Sequence, residues 1–295
     1  MECYTLELVH ECGPDGPDGP DAAGRAGAAA PMLRSVACAY ILTMHETETF
    51  PWLHGVAART YVQRNRGFRA CHKTRESGQV VDATNQDLLH AYRSVFARAD
   101  TSVPVLVFED DARLTRTARE DLSAVDRFVA THAFSIYSLG SIGVMVPHGG
   151  GHWRFAGRFF SASHAIIYSP AAARAVLEAC VGSREHVDRA ILSRMPAKIT
   201  YTRPIAYQVL DRNAKSANSS TWCVRCDGGI YDAAVRKLTW VYFGALGLQN
   251  ERGWHVMYVV NKLLVPLAAV LVLGLVVLCW LALRALVFRA WQIRI

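Results

Sequence analysis

Val103-Pro-Val-Leu-Val-Phe-Glu-Asp-Asp-Ala112 decides the fold: an apolar run ends abruptly in three consecutive carboxylates. Val105, Leu106, Val107 and Phe108 are β-branched, large apolar or aromatic, and Pro104 stands only at the start. That pattern predicts a strand buried on both faces, as inside a parallel sheet. Ligand crevices in open α/β sheets lie outside the carboxyl ends of strands, so Glu109, Asp110 and Asp111 fall where a ligand would bind. In an extended chain, Glu109 and Asp111 face one way and Asp110 the other. Adjacent carboxylates repel one another unless a cation is shared, and Mg²⁺ or Mn²⁺ is commonly held by one or two carboxylates plus substrate phosphates. A metal–diphosphate site and a solvated acidic turn both fit these ten residues, so the rest of the chain must discriminate.

Strands and helices alternate on either side of this stretch. Upstream, Ser35–Thr43 reads as a first buried strand, Leu53–Arg64 as a helix, and Phe68–Lys73 as a strand or loop. Asp82–Asp100 is an amphipathic helix, because Leu88, Leu89, Tyr92, Val95, Phe96 and Ala99 make one stripe. Thr84 with Asp87 resembles its N-terminal cap. Downstream come a helix over 119–131, a strand over 134–139, and a loop at Pro147-His-Gly-Gly-Gly-His152 whose histidines are candidate metal or substrate contacts. A strand over 164–169 follows. Ser169-Pro170 then starts a helix, serine as the cap and proline in the first position. A short helix over 185–194 and a strand over 198–202 complete an α/β domain with a mostly parallel sheet.

The two ends are of different composition. Residues 1–34 contain three Gly-Pro-Asp triplets and an Ala/Gly tract, and read as a disordered leader. Leu263–Leu283 carries no charged residue and is long enough to cross a bilayer. Lys262 and Trp254 on one side, and Trp280 and Arg284 on the other, suit interfacial anchoring. The predicted plan is therefore a leader over 1–34, an α/β domain over 35–225, a membrane-proximal segment over 226–262, a transmembrane helix over 263–283 and a short basic tail over 284–295. With no secretory signal read at the start, the simplest topology leaves the domain in the cytosol. The positive-inside rule pulls the other way, since Arg284, Arg289 and Arg294 follow the span.

The apolar fraction of 52% is high, and the span accounts for much of it. The net charge of +7 suits anionic partners such as a nucleotide diphosphate or lipid headgroups. No basic helix, RNP motif or zinc-finger spacing points to nucleic acid. Eight cysteines are spread without the spacing of a disulfide scaffold, and Cys223-Val-Arg-Cys226 is a lone pair.

Four blocks in order resemble the family 25 glycosyltransferases, which include lipooligosaccharide and collagen galactosyltransferases. They are His90-Ala-Tyr-Arg-Ser-Val-Phe96, Val105–Ala112, Ser163-His-Ala-Ile-Ile-Tyr-Ser169 with the Ala-rich stretch to Leu177, and His186-Val-Asp188 with Ile199–Gln208. There are two departures from the family pattern: Leu89 stands where a serine is usual, and Met44-His45-Glu46 replaces the usual donor motif. The resemblance implies a GT-A-like fold and a UDP-sugar donor. By it, Glu109, Asp110, Asp111 and His90 would line the nucleotide–metal site, with Asp110 and Asp111 as ligands of Mn²⁺ or Mg²⁺. Asp188 is the candidate base for the acceptor hydroxyl, or else the N-terminal charge of a short helix. Arg113 and Lys198 are candidates to steady phosphate, with a surface role the alternative for each. The expected function is membrane-anchored, metal-dependent transfer of galactose or glucose to a glycan or protein hydroxyl. The alternatives are a non-catalytic membrane or structural protein that retains the fold, and a metal-dependent phosphodiester hydrolase.

Overall fold

The computed structural model describes residues 3–11, 30–75, 78–179, 187–209, 245, 247 and 250–292. Asn218, the Cys223–Cys226 pair, His186 and most of the membrane-proximal segment lie outside the described residues. The chain folds as a mixed α/β protein with a long apolar C-terminal helix. In order the strands are β1 (Tyr4–Glu11), β2 (Cys38–Thr43), β3 (Arg59–Asn65), β4 (Val105–Glu109), β5 (Ala112–Leu114), β6 (Ile136–Ser138), β7 (Ile142–Gly149), β8 (His152–Ser161), β9 (Ala165–Tyr168), β10 (Lys198–Tyr201) and β11 (Ala206–Gln208). The helices are α1 (Thr84–Arg98), α2 (Ala118–Thr131), α3 (Pro170–Glu178), the single turn α4 (Val187–Ala190) and α5 (Glu251–Gln292).

Nine strands form one sheet in the order β1-β3-β2-β4-β9-β6-β10-β8-β7, and β11 pairs with β5 in a small second sheet. As predicted, β4 is buried on both faces. Val105 and Val107 pack with Leu89, Tyr92, Val95 and Phe96 of α1 and with Ala172 and Val176 of α3. Leu106 and Phe108 pack on the opposite face with Leu122, Val125 and Phe128 of α2. Side-chain alternation in one strand thus feeds two cores, one on each side of the sheet.

The sheet is mixed, which corrects the expectation of a mostly parallel one. Only β2–β3, β2–β4 and β6–β10 run parallel. Strand β9 lies between β4 and β6 and is antiparallel to both. The cause is the long β7–β8 hairpin. It returns the chain to the sheet at the carboxyl end of β4, so β9 enters from the opposite direction. Pro147 to Gly149 belong to β7 and His152 opens β8, so the expected loop there is a strand hairpin with a tight glycine turn, Gly149, Gly150 and Gly151 all at positive φ.

Three further expectations change. Part of the 1–34 leader is ordered: Tyr4–Glu11 forms edge strand β1, antiparallel to β3, with Cys3 disulfide-bonded to Cys71. Residues 53–64 are not a helix. Gly55 at φ +77° ends a short 3₁₀ turn over Pro51–Leu53, and β-branched Thr60 and Val62 are buried in β3. Thr84 does not cap α1: the N-cap is Ala83, without a side-chain bond, and Asp87 pairs with buried Lys73. By contrast Ser169 caps α3 as expected, its Oγ accepting from the Ala172 amide at 3.2 Å.

Helix α5 changes character along its length. Gly253, Trp254, Met257, Tyr258 and Asn261 are buried, a helical stripe seated beside β7. Lys262 donates to the Thr202 carbonyl and lies over the Trp153 ring. From Leu263 to Arg284 every residue is exposed, and the helix is long and apolar enough to cross a membrane once. Root and span form one continuous helix.

Candidate acidic site

The three acids lie at the carboxyl end of β4, where the strand becomes a turn into β5. Asp110 faces β2: Thr43 Oγ1 donates to its Oδ2 at 2.9 Å, and His45 Nε2 stands 3.9 Å from the same oxygen. Glu109 faces α1 and the entry to β9. Tyr92 Oη donates to Glu109 Oε1 at 3.0 Å and Ser163 Oγ donates to it at 2.8 Å. Asp111 faces β11: Gln208 Nε2 donates to its Oδ2 at 2.7 Å, and the Val209 amide donates to its carbonyl at 2.9 Å. Its other carboxylate oxygen, Oδ1, is buried without a hydrogen-bond partner. Such an oxygen is costly to leave unpaired when the group is ionised.

Asp188 joins the group from α4, where Ser161 Oγ donates to its Oδ2 at 3.2 Å. Burial is the main reason that the Glu109 carboxyl is raised to about 8, and repulsion from Asp111 and then Asp188 adds to it. Asp111 is raised to about 7, again by burial first, with the Gln208 bond opposing and Asp110 repulsion adding. Glu109 and Asp111 therefore titrate as a pair near neutrality. Ser161 and Ser163, which donate to Asp188 and Glu109 respectively, flank Ala162. That residue is the one described non-glycine position with positive φ, at 71°. Backbone strain of this kind concentrates at functional sites.

The packing beneath the site is tight. The ring of His164 lies against Trp254 of α5 at 5.0 Å between centroids, and the His164 carbonyl accepts from the Glu109 amide. Burial pushes the His164 imidazole down to about 3, so it is neutral. Trp254 Nε1 also donates to the Gln208 carbonyl at 3.1 Å. Gly140 is a glycine because a Cβ there would stand 1.9 Å from the Ala206 carbonyl oxygen.

The structure thus brings Glu109, Asp110, Asp111 and Asp188 into one neighbourhood, and it separates His90 from them. The His90 Nδ1 is 2.7 Å from the Tyr4 hydroxyl, and its ring stacks on Tyr4 beside the Lys73–Asp87 pair. Two residues along a helix turn the side chain by about 200°, so with Tyr92 aimed at Glu109, His90 is directed elsewhere. Arg113 and Lys198 are not poised for phosphate. Arg113 donates to the carbonyls of Asp110 and Ala112 and lies 3.4 Å from Glu48, bracing the turn. Lys198 is buried and donates to the carbonyls of Ser193 and Met195. His148 and His152 pack around Phe128, and His152 bonds Tyr137, on the α2 side of the sheet.

Thr43, Tyr92, Ser161, Gln208 and Trp254 were not singled out as site residues in the sequence. Tyr92 is a member of the α1 stripe and lies within the first resemblance block, without a marked role in either. Ser163 and Gln208 lie within the resemblance blocks without a marked role. No protein-family model, curated protein or solved structure matches this chain significantly.

The acidic turn offers a cation a partial site. Among the described residues, no three His, Cys, Asp or Glu side chains form a ligand set of their own. The unpartnered Asp111 oxygen and half-buried Asp110 are the carboxylate atoms that could hold Mg²⁺ or Mn²⁺, ions commonly bound by one or two carboxylates.

Proposed function

We propose that this protein is a membrane-anchored, metal-dependent glycosyltransferase of GT-A-like build. It would move a hexose, galactose or glucose, from a UDP-sugar to a glycan or protein hydroxyl. The observation that carries the reading is the buried, unpaired carboxylate oxygen of Asp111 within a four-acid group at the carboxyl end of the central strand. A bound Mn²⁺ or Mg²⁺ would neutralise charge on the departing diphosphate. Asp110 and Asp111 would hold it. Gln208 fixes one oxygen of Asp111 and leaves the other directed for coordination. Tyr92 and Ser163 fix Glu109, which keeps the neighbouring charge low while it is protonated. Asp188, oriented by Ser161, takes the acceptor proton. The test is hydrolysis and transfer across a panel of UDP-sugars with and without Mn²⁺. Metal-dependent turnover that falls at least roughly a hundredfold in Asp111→Asn supports the reading. Absence of turnover with every donor sinks it.

The lack of a self-sufficient ligand set among the described residues favours a second reading, a non-catalytic membrane protein that retains the fold. Calorimetry with UDP and Mn²⁺ separates the two, since the second binds neither.

The folded domain is proposed to lie outside the cytosol, in place of the cytosolic orientation expected from sequence. The Cys3–Cys71 disulfide favours an oxidising compartment, and Arg284, Arg289 and Arg294 beyond the span favour a cytosolic tail. Asn218-Ser-Ser220 is an N-glycosylation sequon, and glycan on Asn218 in eukaryotic cells, with protease protection of the domain in sealed microsomes, is the expected result. Protease digestion of the domain in those microsomes would return it to the cytosol.

A further inference from the structure

The root of α5 is connected to the acidic turn by direct contacts. Trp254 is fully buried, and its indole N–H donates to the carbonyl of Gln208. The Gln208 side chain donates to Asp111 Oδ2, and the next amide, Val209, donates to the Asp111 carbonyl. Both grips on Asp111 therefore come from the end of β11, a strand of three residues whose ladder partner is the equally short β5. So short a pair is weak on its own and needs outside support. Ile205 and Ala206 are tied to the Leu139 carbonyl, which leaves the far end of β11, at Gln208, to be held by the indole. The same ring packs on His164, whose carbonyl receives the Glu109 amide.

We propose that Trp254 and Gln208 are positioning residues, through which the membrane helix sets the place of Asp111 and hence the affinity of the acidic site for its cation. The catalytic consequence rests on the transferase reading, but the mechanical linkage does not. A helix that enters the bilayer without a break transmits its placement to its own root. The site is therefore assembled fully only when that root is seated on the domain.

The experiment uses the full chain in lipid nanodiscs and three variants. Trp254→Phe keeps an aromatic ring against His164 and removes the donor. Gln208→Met keeps length and removes the amide. Met257→Ala removes packing from the same helix root, where Met257 is buried in one cluster with Ile142 and Trp254, and takes away no hydrogen-bond donor. Two quantities are read: Mn²⁺ affinity by electron paramagnetic resonance, and hydrogen exchange of the amides of residues 206–209. Trp254→Phe and Gln208→Met should each weaken Mn²⁺ binding roughly three- to tenfold, the scale of one hydrogen bond. In a donor assay the apparent KM for Mn²⁺ should rise more than kcat falls. Trp254→Phe should also speed exchange at 206–209, while Met257→Ala lowers Tm and leaves both quantities as in the parent. If Trp254→Phe and Met257→Ala behave alike at matched loss of Tm, the role of the indole is only structural and the proposal is overturned. Should the parent protein bind no Mn²⁺, the transferase reading falls, and the exchange comparison by itself still decides the linkage.

Discussion

Removing the phenol that holds Glu109 should make that acid harder to ionise. Tyr92 Oη lies 3.0 Å from Glu109 Oε1 and 3.2 Å from the Ser163 carbonyl, so its single proton is divided between two acceptors. A hydrogen bond to a charged group contributes about 1.5–3 kcal/mol, and the divided proton puts Tyr92 at the lower end. About 1.5 kcal/mol lost from the ionised form corresponds to roughly one pH unit. Glu109 already titrates at about 8, so Tyr92→Phe should move its midpoint to roughly 9. Ser163 Oγ donates at 2.8 Å to the same oxygen, so Ser163→Ala should shift the midpoint at least as far. Infrared difference spectra of the protein in nanodiscs, titrated from acid to alkaline pH, follow the protonated carboxyl band, and Glu109→Gln identifies it. A midpoint that stays put or falls in Tyr92→Phe would show that the phenol does not stabilise the carboxylate, and this account of the acid pair would be refuted.

Glu109 and Asp111 carry folded-state values of about 8 and 7, above those of free carboxylic acids, so between roughly pH 4 and 8 the native protein holds more protons than the unfolded chain. Their contribution to stability is full below the unfolded values and is lost as pH rises through the folded ones; metal-free protein should therefore unfold at lower urea at pH 8 than at pH 5, and Asp111→Asn should flatten that slope. Gly140→Ala drives a methyl group into the Ala206 carbonyl oxygen, a backbone atom that cannot swing aside, and should cost at least about 3 kcal/mol or prevent folding, as read by thermal denaturation. Reduction of Cys3–Cys71, which closes a chain separation of 68 residues, should lower stability by about 4 kcal/mol in the chain-entropy model, with amide protection lost first from edge strand β1; protection unchanged there would show that β1 is held by its ladder alone.

What could be read in advance was what is written locally. Val105–Phe108, the α1 stripe, the Ser169-Pro170 start of α3 and the uncharged Leu263–Leu283 run each declare themselves within a few turns of chain. Strand β1 was illegible because its partner β3 begins nearly fifty residues later, and a short exposed alternation says nothing until the pairing is known. Strands β7 and β8 were missed for a related reason: their pairing is broken by register shifts and β8 bends at Gly157 with positive φ, features of pairing rather than of composition. The acidic triplet marked the candidate site in the sequence but not the residues that surround it. Asp188 arrives from across the β7–β8 excursion, and Trp254 from beyond residue 250, so neither neighbour is implied by nearby sequence. The helix phase that aims Tyr92 at Glu109 turns His90 toward Tyr4, a partner on β1 that nearby sequence does not imply.

The unbroken passage of α5 from domain to apolar span has a consequence for reach. Trp254 touches the acidic turn through Gln208, and the exposed apolar run begins at Leu263; nine residues at about 1.5 Å each place the two levels about 14 Å apart along the axis. The enzyme so proposed stands on a stiff post rather than swinging on a string. It would patrol a thin sheet of solvent just above the headgroups, collecting molecules that drift in that plane and leaving those deep in the aqueous phase to come to it.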